Sequence, residues 1–319
     1  MSEGQSLEDL EGVGAVTAKR LRDAGIETLE DLAASPVKEL QERTGVSEEK
    51  AIAITMKARE LLHIDFLTAN ELMQRRKGVR RILTPSKNLN AILAGGFETQ
   101  AITEIVGEFG TGKTQICMVL CAQVQQLPEN GGLGGRALYI DTEGTFSPER
   151  LYQIAQNMGL DPALVLDNVI YARAYNSDHQ MLMVEKAAKV IREKNVKLVV
   201  VDSVVSHFRG EYIGRGTLSE RQQKLNSHVH RLLRLAETYN LAAVVTNQVI
   251  ANPDTFFGDP NKPSGGHVLA HATTHRIFLR KSKQNTRVAR IADSPYLPSD
   301  AEAMFRITSS GIEDAEIKE

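Results

Sequence analysis

A glycine-rich segment at residues 107–114 constrains the fold of this 319-residue chain more than any other feature. It fits the pattern G-x-x-x-x-G-K-[ST], in which glycines allow backbone N–H groups to surround a phosphate. A strand-like apolar run, Ile102–Val106, precedes the segment, and a helical stretch, Lys113–Leu127, follows it. A strand, a glycine-rich loop and a helix in this order are typical of a nucleotide-binding α/β core. The segment therefore predicts that the chain binds a nucleoside triphosphate.

The residue types of this segment predict their roles at a bound nucleotide. The Lys113 ammonium group would reach the β- and γ-phosphates, and the Thr114 hydroxyl would bind Mg²⁺. The apolar run Leu198–Asp202 ends in a carboxylate, which would provide a second contact to Mg²⁺. The expected ligands are ATP and Mg²⁺. The predicted nucleotide-binding residues of the segment are Gly107, Glu108, Phe109, Gly110, Thr111, Gly112, Lys113 and Thr114.

The sequence from Ile82 onward alternates between short β-branched runs and longer helical stretches, which predicts a mainly parallel sheet covered by helices on both faces. The predicted strands are Thr103–Val106, Ala137–Asp141, Asn168–Ala172, Leu198–Asp202 and Ala242–Asn247. The helical stretches include Lys113–Leu127 and Arg221–Thr238. Three later runs have turns but no helices between them, which predicts an antiparallel extension of the sheet. They are His275–Lys281, Arg287–Ala292 and Met304–Thr308.

The first sixty residues form short apolar repeats at helical spacing, broken by Gly and Pro, and predict a small all-α domain. Within it, Ser47 followed by two glutamates predicts the start of a helix. Arginines and lysines are concentrated between residues 75 and 81, in a segment interpreted as a linker. The predicted organisation is an all-α domain at 1–60, a linker at 61–81 and an α/β core at 82–319.

Composition limits the compartment and the class of partner. The chain contains no run of 18 apolar residues, so no membrane span is expected, and the polar N-terminus is unlike a secretory signal. Cys117 and Cys121 lie four apart on a predicted helix and are interpreted as small buried residues of a cytoplasmic protein. The net charge is −2, so any contact with DNA must come from local basic patches.

Two loops and one hairpin are candidates for DNA contact. Residues 207–231 hold five Arg or Lys against two Glu, and glycines at 210, 214 and 216 predict a mobile basic loop. Residues 250–266 carry two aromatics amid Pro, Asn and Gly, which suit stacking on bases. Solvated or packed surface loops are the alternative for both segments. The loop residues predicted to contact DNA are Arg209, Arg215, Arg221, Phe256 and Phe257.

The hairpin lies at residues 10–21, where Gly12-Val13-Gly14 precedes a helix in a helix-hairpin-helix pattern. Backbone N–H groups at the start of such a helix can hold one DNA phosphate. Such hairpins also serve as protein-binding modules, and the sequence leaves both roles open.

Hydrolysis also requires a group that orients water. Asp141 and Glu143 follow a predicted strand at the edge where open α/β sheets carry their active-site loops. Either acid could act on water, either could be a solvated loop residue, and spacing alone does not choose between them. Gln248 follows the strand 242–247 and is placed to sense a γ-phosphate and to pass that signal into the next loop.

These segments, in this order, resemble the RadA branch of the RecA recombinase family over essentially the whole chain. The segments that carry the resemblance are 84–99, 107–114, 141–146, 147–150, 212–216, 246–249, 265–271 and 293–298. The resemblance implies a RecA-like ATPase core with a mainly parallel sheet and an N-terminal helix-hairpin-helix domain. It also implies a homo-oligomeric helical filament, with rings possible, that binds single-stranded DNA, pairs it with homologous double-stranded DNA and hydrolyses ATP in a DNA-dependent manner.

The resemblance also implies roles that spacing left open. It assigns Glu143 to water activation, Gln248 to γ-phosphate sensing and Arg150 to the adenine side of the nucleotide. It makes the two loops above the DNA-binding loops of the family and adds His271 to them. Asp293 to Pro298 resembles a cap that a neighbouring subunit lays over ATP. Family members often carry an acid after the second proline of this cap, where a monovalent cation can help. This chain has Ser299 there and Asp300 one residue later, so the sequence leaves a monovalent-cation requirement open.

Phe66-Leu-Thr-Ala69 resembles the Phe-x-x-Ala polymerisation motif of the family, in which an aromatic anchor fills a pocket of the next subunit. A linker residue that packs on its own domain is the alternative for Phe66.

Two other functions are alternatives to this one. A non-filamentous accessory paralogue would be expected to lack the N-terminal domain, Glu143 or the Phe-x-x-Ala segment, and this chain has all three. A ring-forming motor or kinase is disfavoured by the helix-hairpin-helix pattern and by the cap segment.

Overall fold

The structure is a computed structural model that describes residues 6–214, 216–251, 261–283 and 285–315. The chain divides into two compact units, Met1–Gly78 and Val79–Glu319. The boundary between them falls within the segment predicted as a linker.

The N-terminal unit consists of helices, as its apolar spacing predicts. A 3₁₀ turn at Leu7–Asp9 is followed by α1 (Ala15–Asp23), α2 (Leu29–Ala34), α3 (Val37–Thr44), α4 (Glu48–Leu61) and α5 (Ala69–Arg76). The Ser47 hydroxyl accepts a hydrogen bond from the Lys50 N–H at 3.3 Å and caps α4, as predicted. Leucines at the helical repeat form the core of this unit, among them the fully buried Leu21, Leu32 and Leu40. Helix α5 was not predicted, because its sequence is polar and basic and buries none of its residues.

The second unit is an α/β core. Its strands are β1 (Arg81–Ile82), β2 (Phe97–Glu98), β3 (Ala101–Gly107), β4 (Arg136–Asp141), β5 (Val169–Arg173), β6 (Val196–Asp202), β7 (Ala242–Asn247), β8 (Val249–Ala251), β9 (Asn261–Pro263), β10 (His275–Lys281), β11 (Thr286–Asp293), β12 (Glu302–Thr308) and β13 (Gly311–Asp314). Its helices are α6 (Lys87–Ile92), α7 (Lys113–Gln123), α8 (Pro148–Asn157), α9 (Pro162–Asp167), α10 (Ser177–Lys194), α11 (Ser206–Glu211), α12 (Leu218–Tyr239) and α13 (Gly266–Ala272), with a 3₁₀ turn at Pro128–Asn130.

Within the described residues, nine strands form the main sheet in the order β13-β12-β11-β10-β3-β7-β6-β4-β5. Neighbours from β10 to β5 pair in parallel, and β10 to β13 pair antiparallel. The predicted fold class is therefore confirmed, including the antiparallel extension. Two small ribbons, β1–β2 and β8–β9, lie outside this sheet.

Alternate residues of the central strands supply two hydrophobic layers. In β6, Leu198 and Val200 face the layer that contains α7 and α8, whereas Val199 and Val201 face the layer that contains α10 and α12. This alternation follows from the two-residue period of a strand. Because helices cover both faces, the central strands are mostly apolar. Polar groups at the carboxyl ends of these strands therefore stand out as candidates for function.

Cys117 and Cys121 lie on α7 and are buried and free, as predicted. Burial raises the pKa of both thiols, so neither sulfur is a reactive thiolate at neutral pH. In the part of the chain that the structure describes, no helix combines the length and the apolar character needed to cross a membrane.

Gly311 provides a test of the packing between the antiparallel strands and α7. It begins β13 with a φ of +107°, and an added Cβ would overlap the Val119 side chain. Gly311→Ala is expected to destabilise the core unit by about 2–4 kcal/mol in urea unfolding, because backbone strain and overpacking act together. Gly159→Ala is the matched control, since Gly159 has a φ of +73° and open space at the Cβ position. Equal losses in the two variants would mean that the contact with Val119 contributes nothing.

Candidate nucleotide-binding and DNA-coupling site

The glycine-rich segment lies between β3 and α7 and leaves no room for side chains at two of its glycines. A Cβ on Gly107 would lie 2.6 Å from the Leu279 carbonyl oxygen, and one on Gly112 would lie 2.8 Å from Cδ1 of Ile307. Gly112 also has a φ of +105°, a conformation that other residues rarely adopt. The segment therefore forms a tight loop packed against β10 and β12, and glycine-rich loops of this kind can hold a phosphate through their backbone N–H groups.

Lys113 begins α7, and its side chain folds back over the loop. Its ammonium group donates to the carbonyl oxygens of Gly107 at 2.8 Å and Glu108 at 2.9 Å. Burial lowers the pKa of Lys113, and the nearby carboxylates of Asp202 and Glu143 act in the opposite direction. The loop thus holds a partly desolvated positive charge, which interacts more strongly with an anion than a lysine in open water would.

The Asp202 carboxylate, at the end of β6, is held by three hydroxyl groups. Thr114 Oγ1 donates to it at 2.7 Å and the Tyr139 hydroxyl at 2.6 Å, and Thr246 Oγ1 also donates. Burial, reinforced by Asp202, raises the pKa of Tyr139, so this hydroxyl keeps its proton and remains a donor. Thr114 and Asp202 are brought together as predicted. Carboxylate and hydroxyl oxygens are hard ligands that fit Mg²⁺.

The two acids that the sequence could not distinguish have different surroundings. Asp141 is fully buried, and its carboxylate accepts backbone N–H groups of Glu143 at 3.0 Å and Gly144 at 2.7 Å and the Tyr171 hydroxyl at 3.1 Å. The Arg173 guanidinium lies 3.4 Å from the same carboxylate. Asp141 therefore supports the loop, whereas Glu143 is exposed and faces the cleft.

Glu143 and Gln248 follow two different strands, β4 and β7, and their side chains meet at the cleft. The Gln248 side-chain amide donates to the Glu143 carboxylate at 3.2 Å. Both side chains line a cleft with a cavity volume of about 320 Å³, within the range of roughly 300–1,000 Å³ typical of small-molecule sites. The cleft is lined by Phe109, Gly110, Gly112, Lys113, Thr114, Gln115, Glu143, Thr145, Asp202, Ser203, Thr246, Gln248 and Ile307.

Arg150 and the predicted cap are not among the residues that line this cleft. The Arg150 guanidinium donates to the Gln115 side chain at 2.8 Å and to the Ser309 carbonyl oxygen at 2.9 Å. Asp293 ends β11, and Pro298 lies in the turn that follows, where the Ser294 hydroxyl accepts the Leu297 N–H at 2.9 Å.

The chain matches the family model described as Rad51 over residues 75–315 and the model described as a SAM-like helix-hairpin-helix tandem over residues 4–60. It is 49% identical over 320 residues to the DNA repair and recombination protein RadA of Cenarchaeum symbiosum (strain A). That alignment covers 98% of this chain and 80% of the relative. The chain belongs to the Rad51 family. Members of this family are DNA-dependent ATPases of recombination.

The basic loop of this Rad51-family chain is shorter than the sequence suggested. Arg221 lies in the first turn of α12, in agreement with the predicted helical stretch Arg221–Thr238. Arg209 lies on α11, so the prediction that it belongs to a mobile loop is wrong. The reason is Phe208, which is fully buried beside His228 and fixes α11 against α12. Only residues 212–217 connect these helices. Arg215, Phe256 and Phe257 lie outside the described residues.

Arg209 is close to the cleft as well as to the next loop. Its guanidinium lies 3.5 Å from Ser264 Oγ, and it lines a small polar cavity shared with Glu143 and Gln248. His271 is exposed at the end of α13 and lines a groove between α12 and α13 together with Gln222. Of the residues predicted to contact DNA, Arg209 therefore lies beside the nucleotide cleft, on the side of Gln248.

The Phe-x-x-Ala segment exposes its aromatic residue. The Phe66 side chain is fully exposed, which disagrees with the alternative that it packs on its own domain. Ala69 is the first residue of α5, and Thr68 and Glu71 form a reciprocal capping box that fixes this helix start. The motif therefore consists of an exposed aromatic ring held next to a defined helix end.

Tyr139 and Thr246 were missed by the sequence analysis, although both contact Asp202. Each is a hydroxyl-bearing residue within an apolar strand, and that departure from the pattern is the feature that could have identified them. Burial of a polar group requires a partner, and Asp202 is the partner of both.

Lys113→Ala tests the assignment of the cleft. Loss of one charge-assisted contact is expected to weaken ATP binding about 10- to 100-fold, because such a contact contributes about 1.5–3 kcal/mol. The midpoint of thermal unfolding should stay near that of the parent, because the lysine stem is not in either hydrophobic layer. Equilibrium dialysis measures the affinity, with Lys186→Ala on the exposed face of α10 as control. Parental ATP affinity in Lys113→Ala would refute the site.

Proposed function

We propose that this chain is a DNA strand-exchange protein of homologous recombination. It binds ATP with Mg²⁺, forms helical filaments on single-stranded DNA, pairs that strand with homologous double-stranded DNA and hydrolyses ATP in a DNA-dependent manner. The observation that carries the proposal is the meeting of Lys113, Thr114, Asp202 and Glu143 in one cleft of a Rad51-family chain. Identity of 49% to a protein named for DNA repair and recombination supports it further.

The residues of the cleft fit a magnesium-bound nucleoside triphosphate. Backbone N–H groups of residues 108–114 would surround the phosphates, and Lys113 would offset charge on the β- and γ-phosphates. Thr114 and Asp202 would hold Mg²⁺, which when bound neutralises charge on the phosphate oxygens. Phe109 and Gln115 line the same cleft. We assign Arg150 to the adenine side through its contact with Gln115.

Glu143 is the group that we assign to water activation. It is exposed in the cleft, whereas the competing acid, Asp141, already accepts several hydrogen bonds. The Glu143 carboxylate accepts a hydrogen bond from Gln248, so these residues can act together on a water molecule and on the terminal phosphate. Glu143 would take the proton from the attacking water as general base.

Filament assembly would place one subunit against the nucleotide of the next. The exposed Phe66 is the aromatic anchor for a pocket of the neighbouring subunit, and Ala69 fixes the chain direction behind it. Asp293 and Pro298 lie outside the cleft of their own chain, which agrees with a cap over the nucleotide of a neighbour. DNA would contact the segments that carry Arg209, Arg215 and Arg221 together with Phe256, Phe257 and His271.

The experiment that tests this function is negative-stain imaging of the full chain with single-stranded DNA, with and without ATP. A strand-exchange reaction with a homologous duplex accompanies it. Helical filaments that require ATP, and products that require homology, are expected. Discrete rings or monomers with no exchange product would overturn the proposal in favour of a motor or an accessory protein.

Glu143→Gln separates nucleotide binding from hydrolysis. The amide keeps the size of the side chain but cannot accept a proton from water, so turnover should fall about 100- to 10,000-fold, the usual contribution of a general base. ATP affinity should stay within about threefold because Lys113, Thr114 and Asp202 remain. DNA complexes formed with ATP should therefore persist longer than those of the parent.

Asp141→Asn is the comparison variant for Glu143→Gln. It should lower the thermal stability, since Asp141 holds the loop through its hydrogen bonds, and Glu143→Gln should not. A Glu143→Gln protein that hydrolyses ATP at the parental rate would show that another group activates the water.

Phe66→Ala tests the assembly contact. Loss of a buried aromatic anchor costs about 2–4 kcal/mol per interface, which lowers each association constant roughly 30- to 1,000-fold. Light scattering and imaging at fixed protein concentration should show small oligomers in place of filaments. Leu164→Ala, which truncates another exposed side chain on α9, is the control. Filaments of parental length in Phe66→Ala would assign this residue to the linker alone.

A further inference from the structure

A buried carboxylate lies on the strand that leads to the phosphate-binding loop. Glu104, in the middle of β3 and three residues before Gly107, is fully buried. Carboxylates are rarely buried unless they are paired, because burial of an unpaired charge is costly. Burial raises the pKa of Glu104, and the Arg276 guanidinium acts against that shift. Arg276 and the other hydrogen-bond donors around Glu104 therefore favour its charged form against the cost of burial.

The partners of Glu104 come from two places along the chain. Arg276 on β10 contacts Oε2 through Nε at 2.7 Å and through a second guanidinium nitrogen at 2.6 Å. The Asn247 amide, at the end of β7, donates to Oε1 at 2.7 Å. The Thr273 hydroxyl, at the C-terminal end of α13, lies 3.4 Å from Oε2. Glu104 is thereby joined to the chain on both sides of residues 248–272.

The segment between these partners, residues 248–272, contains the proposed DNA loop. It begins with Gln248, which contacts Glu143, and it includes His271. The Asn247 amide also donates to the Ser264 carbonyl oxygen at 2.7 Å, and the Ser264 N–H donates to the Gln248 carbonyl oxygen at 2.9 Å. One amide group thus joins Glu104 to the base of the loop, next to the residue that reaches the nucleotide cleft.

A buried ion pair is by itself weak evidence of a gain in stability. A well-packed apolar set of similar volume is often as stable as a buried ion pair, or more stable. What such a set cannot supply is directional bonds, which fix the position of Asn247 relative to β3. The cluster fits a role in holding geometry at the point where the loop leaves the sheet.

We propose that Glu104 is a positioning residue that, through Asn247 and Thr273, couples occupation of the nucleotide cleft to the conformation of residues 248–251 and 261–272. The proposal rests on the proposed function, because it assumes that this segment binds DNA and that Gln248 responds to the terminal phosphate. The bonds from Glu104 hold Asn247 in place. When Gln248 moves, the β8–β9 ribbon then moves with it, because Asn247 and the rest of β7 stay in place.

Because the sequence contains no tryptophan, the fluorescence of a single introduced indole can report on the coupling. In a Phe257→Trp parent, the single indole reports on the proposed DNA loop, and Phe257 itself lies outside the described residues. Indole emission is recorded with and without a non-hydrolysable ATP analogue in the absence of DNA. ATP affinity and the affinity for a fluorescent single strand, with and without ATP, are measured on the same full-length proteins.

Glu104→Gln and Asn247→Ala are the test variants in this parent. Glu104→Gln keeps the volume but replaces one acceptor oxygen with a donor, which opposes either Arg276 or Asn247. Thr99→Val is the matched control. The buried Thr99 hydroxyl donates to the Asn240 side chain at 2.7 Å and accepts the Arg80 N–H at 2.9 Å. Thr99 and Asn240 precede β3 and β7, so this contact lies at the end of these strands away from the cleft. Thr99→Val breaks buried hydrogen bonds without touching the Glu104 cluster.

Both test variants are expected to bind ATP with an affinity within about threefold of the parent. The nucleotide-induced change in indole emission should disappear. The factor by which ATP raises the DNA affinity should fall at least tenfold. Thr99→Val should keep both responses even if its stability falls equally. Test variants that keep both responses, or a Thr99→Val protein that loses them, would overturn the inference. If Asn247→Ala does not fold, Thr273→Val decides the question, and parental responses in it would count against coupling. A parent without ATP-dependent DNA binding would instead overturn the proposed function.

Discussion

The site depends on one geometric constraint, which is that neighbouring parallel strands end at the same edge of a sheet. β3, β4, β6 and β7 are paired in parallel, and each of them delivers a polar group at its carboxyl end. The loop glycines follow β3, Glu143 follows β4, Asp202 ends β6 and Gln248 follows β7. Because backbone hydrogen bonds fix the register of these strands, the groups meet without any one of them having to be placed by a flexible loop.

Burial then gives similar residues different tasks. Asp141 and Glu143 are two residues apart, yet Asp141 is enclosed and accepts hydrogen bonds from the loop, while Glu143 stays exposed to the cleft. Asp202 is also enclosed, but its donors are hydroxyl groups, whose oxygens can accept other interactions as well. Glu143 is therefore the acid with access to the cleft, which supports its proposed role in water activation, whereas Asp141 holds the loop around it.

Much of this could be predicted from the sequence, for physical reasons. Buried parallel strands are continuous apolar runs, so the end of β6 at Asp202 was predicted correctly, and the capping pattern at Ser47 located the start of α4. The prediction of a mobile basic loop directly after Asp202 was wrong because it inferred mobility from the glycine content. The burial of Phe208 instead determines a helix there. The cluster around Glu104 could not be predicted, because the sequence does not show which residues from distant positions surround it.

The contrast between two sets of hydrogen bonds explains how one segment can be both anchored and responsive. The bonds from Asn247 to Glu104 and to Ser264 are 2.7 Å long and buried, so water cannot compete for them. The bond from Gln248 to Glu143 is 3.2 Å long and exposed, and water or a phosphate oxygen can replace it at little cost. Adjacent residues of one chain thus hold a strong contact and an exchangeable one. In the coupling that we propose, a ligand in the cleft would change the weaker contact first, and the stronger one would hold the end of β7 in place.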